Sequence, residues 1–191
     1  FAEGKPLVEI FQERLREREV LSGVSTVAKT IPPDLEIQRL GRRILEALDW
    51  TGPAMIEFIR AKDSRDIQLV NIVGRLWGSV QLAISAGIDV PRLCYRMALG
   101  RRVPSGLIAK PGIQFRWVIG DFHQMLERVV SNLDPYGTGF RMLRRLEPLM
   151  EFAHPKYFLR SSYDVLDRDD PMPFLFECQR ELQELGSIQS G

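Results

Sequence analysis

The chain has 191 residues and a mass of 21.9 kDa, of which 45% are hydrophobic and 27% charged, so it can bury a core of its own and does not read as disordered or membrane-spanning. Its 26 lysines and arginines stand against 25 aspartates and glutamates, a balance that excludes a bulk electrostatic field directed at nucleic acid or an anionic membrane surface. Cys94 and Cys178 form no CxxC and have no histidine at ligand spacing, which argues against a zinc site or a disulfide framework and for reduced thiols in a cytoplasmic protein. No apolar run approaches the ~20 residues of a membrane helix, and no signal pattern opens the chain. It begins on Phe1 rather than Met, so further sequence upstream is expected.

In chain order, Leu7 to Phe11 reads as a strand, and the charged tract from Gln12 to Glu19 as a second strand or an arm. The small residues Ser22-Gly23-Val24-Ser25-Thr26 predict a turn. Pro32-Pro33-Asp34 predicts a helix start, because Pro is tolerated in a first turn and Asp complements the helix dipole. Ile37, Leu40, Ile44, Leu45 and Leu48 then recur at helical spacing until Trp50-Thr51-Gly52-Pro53.

Two strands follow, from about Ala54 to Arg60 and from Ile67 to Val73, joined by Lys62-Asp63-Ser64-Arg65-Asp66. A hairpin symmetric about Ser64 places Glu57 directly opposite Asn71, both on one face, with Val73 and, if the strand persists, Arg75 on that same face. A bulge would shift this register. Helices are predicted from about Trp77 to Ala86 and from Pro91 to Leu99, each stopped by a glycine, Gly87 and Gly100. The segment from Arg101 to Gly112 reads as a boundary. Beyond it come a short strand at Ile113 to Ile119, a helix opening at Asp121, a loop at Asp134 to Gly139, a helix from about Phe140 to Ala153 and a last helix after Pro171. Strands early and helices late predict an α+β fold, with residues 1–100 as one part and 101–191 as a helix-rich extension.

One stretch carries most of the chemical information. Asn71-Ile72-Val73-Gly74-Arg75-Leu76-Trp77-Gly78-Ser79, read with Glu57-Phe58 upstream, resembles the metal and phosphate corner of the ATP-grasp superfamily. That family usually carries Glu-x-Asn-Gly-Arg-Phe-Trp-Gly-Ser, whose Glu and Asn hold Mg²⁺ on ATP with an earlier Glu as their partner. Arg14-Leu15-Arg16-Glu17, the following small-residue loop and Ala86-Gly87-Ile88-Asp89-Val90-Pro91 resemble flanking segments of the carbamoyl-phosphate-synthase-like branch. Phe115 to Asp121 and Asp169 to Phe174 are similar to its tail segments.

The resemblance implies the C-terminal half of an ATP-grasp domain, an antiparallel sheet with packed helices, followed by a mostly helical extension. It implies ATP and Mg²⁺ as cofactors and a small-molecule substrate whose carboxylate is phosphorylated before an amine displaces phosphate, forming a carbon–nitrogen bond. In that scheme Glu57 and Asn71 hold Mg²⁺, Arg75 stabilises the transferring phosphoryl group, and Arg14, Arg16 and Lys29 steer phosphates. Taken singly, these residues also fit blander roles: Glu57 solvated, Arg75 capping a helix, and Arg14 and Arg16 on a charged strand.

Two departures weaken the scheme. Asn71 stands where the family has Glu, and Val73 where it has Asn. Unit charges ~4 Å apart at an effective dielectric near 20 interact by about 4 kcal/mol, so a missing carboxylate beside a divalent ion is a serious handicap. The alternative expectation is therefore a catalytically degenerate ATP-grasp-like fragment that acts as a binding or interaction module. The missing N-terminal half of the domain favours that alternative too, and a further one is a module that forms a homo-oligomer through the helical extension, with Leu143, Leu146, Leu149 and Met150 as a candidate stripe that serves at least equally well as intramolecular core. His123 and His154 assemble no metal site or triad, and Arg101-Arg102 and Arg144-Arg145 read as solvated charge pairs.

Overall fold

In the computed structural model, which describes residues 1–17, 24–60, 66–131, 142–159 and 161–188, helix and strand are mixed as the sequence predicts. The turn residues Ser22 and Gly23, the hairpin loop 62–65 and the loop Asp134 to Gly139 lie outside the described residues, as do the side chains of Leu143, Arg144 and Arg145. The chain forms two compact units, one of Phe1–Glu13 with Thr30–Gly112 and one of Arg14–Lys29 with Ile113–Gly191.

In the first unit, α1 (Leu35–Ala47) starts where the sequence puts its cap. The Asp34 carboxylate accepts the backbone N–H groups of Glu36 and Ile37 at 3.0 and 3.1 Å, satisfying two donors that the first turn leaves open. Those bonds, with Arg60 at 2.9 Å, hold the carboxyl below its ordinary pKa, the Ile37 N–H being the largest cause. Strands β1 (Val8–Glu9) and β6 (Leu107–Ile108) pair in parallel, and β4 (Met55–Arg60) and β5 (Ile67–Val73) form an antiparallel hairpin. Helices α2 (Val80–Ser85) and α3 (Val90–Ala98) end before Gly87 and Gly100, whose φ values of 95° and 65° are left-handed as helix termination requires. Leu45, Trp77, Leu82, Ala83, Ala86, Ile88, Val90 and Ala109 make the core of this unit.

The second unit contains most of a four-stranded sheet ordered β2 (Gln12–Glu17), β3 (Ser25–Thr30), β7 (Gln114–Arg116) and β8 (Ser161–Tyr163). Val27 lies opposite Arg116 and Ala28 opposite Phe115 in the antiparallel β3–β7 ladder, while β7 and β8 are parallel. Helices α4 (Val118–Ser131), α5 (Met142–Ala153), α6 (Pro155–Leu159) and α7 (Met172–Ile188) complete it. Two local expectations change here. Ser25 and Thr26 begin a strand rather than closing a turn, because Thr26, Val27 and Ala28 are fully buried beside β7. The helix expected to open at Asp121 opens three residues earlier, since the Asp121 backbone N–H already donates to the Trp117 carbonyl at 2.9 Å. Its carboxylate is thereby left for a different task.

Candidate functional site

The β4–β5 ladder sets Glu57 against Asn71 and Met55 against Val73. Directly opposed residues on one face of an antiparallel pair have Cβ atoms about 4.5–5.5 Å apart, so a carboxylate and an amide converge there. The register is the one a loop symmetric about Ser64 predicts, as far as Glu57. A bulge between Glu57 and Phe58 then shifts the remaining pairs, so that Phe58 faces Leu69. Glu57 is half-buried and Asn71 exposed. Arg75 lies two residues past β5, exposed, with Nη1 donating to the Leu76 carbonyl at 3.0 Å.

The residues between and beyond these have packing roles. A Cβ on Gly74 would stand 2.6 Å from the Trp50 ring, so only glycine lets β5 leave the hairpin over that indole. Trp77 is buried, and the Ser79 hydroxyl, also buried, accepts from Gln12 Nε2 at 3.0 Å. Glycine, tryptophan and serine in this motif therefore serve the scaffold. Glu57, Asn71 and Arg75 remain as the candidate residues of this motif.

The basic candidates Arg14, Arg16 and Lys29 belong to the second unit. Arg14 pairs with Glu17 at 3.3 Å, and Lys29 lies opposite Gln114 in the β3–β7 ladder. Arg16 is deeply placed: its side chain is 9% exposed, its Nη2 lies 3.0 Å from Asp121 Oδ2, and its guanidinium carbon sits 4.2 Å from the centre of the Tyr157 ring. Burial lowers its pKa, and Asp121 opposes that shift.

Sequence reasoning missed the centre of this second arrangement. Arg116 is fully buried, donates through Nε to Asp121 at 2.8 Å and through Nη2 to the Phe152 carbonyl at 2.8 Å, and lies between the Phe152 and Phe158 rings. Thr26 donates its hydroxyl to Asp121 at 3.3 Å. Burial pushes the Asp121 carboxyl up, and Arg16 and Arg116 pull it back. The signal was present: an arginine inside the apolar run Phe115 to Ile119 demands a buried carboxylate, and Asp121 is the only acid near it in sequence. Two guanidiniums on one carboxylate, enclosed by aromatic faces, tie β2, β3, β7, α4, α5 and α6 together rather than presenting a reactive group.

His123 on α4 faces Glu181 on α7 at 3.3 Å, and Trp117 donates to Glu177 at 2.8 Å, so both serve helix docking. Among the described residues, no group of three or more His, Cys, Asp or Glu is placed to hold a metal ion, and no helix is long and apolar enough to cross a membrane. Comparison with family models, with curated proteins and with solved structures finds no match.

Proposed function

We propose that the chain supplies the metal and phosphate corner of an ATP-grasp-type ligase, which joins a carboxylate to an amine through an acyl phosphate. The observation that carries this reading is the opposition of Glu57 and Asn71 across one rung of the hairpin, with Arg75 exposed just beyond it. Mg²⁺ keeps several waters and is bound through one or two carboxylates together with substrate phosphates, so one carboxylate and one amide oxygen fit an ion delivered on ATP. When bound, that ion would neutralise phosphate charge. Glu57 and Asn71 would hold it, and Arg75 would meet the phosphoryl oxygens as a delocalised cation.

Val73 opposite Met55 favours a second reading. Two apolar side chains on the metal face, where a ligand is expected, suit a degenerate module that binds nucleotide or a partner without transferring phosphate. Equilibrium binding of ATP with and without Mg²⁺, to the chain and to Glu57→Gln, separates the two. Mg²⁺-dependent binding that Glu57→Gln abolishes supports the ligase corner. ATP binding indifferent to both Mg²⁺ and Glu57 supports the degenerate module.

A further inference from the structure

In the second unit, β7 and β8 end together on the rung that joins Arg116 to Tyr163, and the residue after each turns to the same acid of α7. Trp117 follows Arg116 and donates its indole N–H to Glu177 Oε1 at 2.8 Å. The indole is held in place by α4, since a Cβ on Gly120 would stand 2.2 Å from its ring. Asp164 follows Tyr163, donates its backbone N–H to the Arg116 carbonyl at 3.3 Å, and lies half-buried within the field of Glu177. The second oxygen of Glu177, Oε2, is closed off from solvent and has no hydrogen-bond partner. A buried acceptor without a donor is costly, and the acid form of Asp164 carries the O–H that is missing.

We propose that Asp164 and Glu177 share one proton, and that this proton is a latch for α7. A proton taken up from solvent by the Asp164 carboxylate places its O–H on Glu177 Oε2 and takes the charge of the pair from −2 to −1. With the proton in place, α7 is clamped to the end of β8. Without it, two anions face each other in a poorly solvated place and α7 loosens. The cations nearby are committed elsewhere. Arg116 of β7 is turned to Asp121 of α4 and to the Phe152 carbonyl, and Arg180 of α7 lies 3.6 Å from Glu181.

The direction with pH follows. Burial first and Glu177 second push the Asp164 carboxyl up to about 6 in the docked state, whereas release of α7 returns it towards the ordinary value near 3.9. The docked state therefore holds the proton more tightly. Docking is strongest below about pH 4, weakens as pH rises, and has lost the contribution of the latch above about 6. His123 of α4, 3.3 Å from Glu181 of α7, forms an ion pair only when protonated and so acts in the same direction. The test must separate the two.

The test is amide hydrogen exchange of residues 174–181 in the whole chain at pH 4.5 and pH 8, corrected for the intrinsic pH dependence of exchange, beside Asp164→Asn and His123→Gln. The expected result is protection of α7 that falls about tenfold between the two pH values in the unmodified chain. Asp164→Asn, whose amide donates to Oε2 at every pH, should abolish that fall and keep α7 protected at pH 8, while His123→Gln retains it. Protection of the unmodified chain that is indifferent to pH overturns the proposal. So does a fall that persists undiminished in Asp164→Asn, or that disappears in His123→Gln. Asp164→Asn that loses protection equally at both pH values shows a merely structural role and overturns it as well.

Discussion

Arg75 in the first unit stands in solvent beyond β5, whereas Arg116 in the second is fully buried between Asp121 and two phenylalanine rings. The same side chain is available for a ligand in one place and committed to the fold in the other. An exposed guanidinium costs the fold little and can wait for an anion. A buried one must have its carboxylate at hand, because desolvation of an unpaired ion costs several kcal/mol. Exposure, rather than residue type, thus separates the candidate site from the structural cluster.

Breaking the cluster should have the largest effect. Asp121→Asn leaves Arg16 and Arg116 without their shared anion and should cost about 3–5 kcal/mol, read as a large fall in the melting temperature. Next, Gly74→Ala drives a methyl into the Trp50 ring and should cost about 1–3 kcal/mol, with a change in tryptophan fluorescence that Arg75→Ala does not share.

Asp164 sharpens the contrast from the other side. Burial and the nearby Glu177 push its pKa up to about 6, and no arginine among the described residues pulls it back. A carboxyl whose folded pKa exceeds its unfolded value near 3.9 destabilises the fold when ionised. Stability should therefore fall as pH rises through about 6, and the penalty should vanish below about 4. Asp164→Asn should accordingly stabilise the protein at pH 7 by about 1–2 kcal/mol, allowing for partial exposure, with no gain at pH 4, as denaturant midpoints at the two pH values would show. Asp34→Ala should cost about 1 kcal/mol by removing the α1 cap. Arg75→Ala should alter stability least, within about 0.5 kcal/mol, because its side chain is exposed.

These residues also mark how much of the molecule could be read from sequence. The α1 cap at Asp34, the glycine stops at Gly87 and Gly100 and the rung joining Glu57 to Asn71 follow from local chemistry, namely a cap, a left-handed backbone and a symmetric loop. The bulge after Glu57 is not encoded by loop length, so the pairing of Phe58 with Leu69 was not legible. The Arg16–Asp121–Arg116 cluster joins residues up to 105 positions apart, and only the misfit of Arg116 in an apolar strand hinted at it. The motif from Asn71 to Ser79 was legible as a block. Its division into scaffold (Gly74, Trp77, Ser79) and candidate chemistry (Asn71, Arg75) needed the Trp50 and Gln12 contacts.

The central claim is that the Glu57–Asn71 rung is a nucleotide-metal corner weakened by the loss of a carboxylate. Calorimetric titration with ATP and Mg²⁺ of the whole chain beside Asn71→Glu/Val73→Asn tests it most directly. The account predicts Mg²⁺-dependent binding by the chain and binding at least tenfold tighter by the double variant, a gain of about 1.4 kcal/mol. No heat from either protein, with both folded, would contradict it.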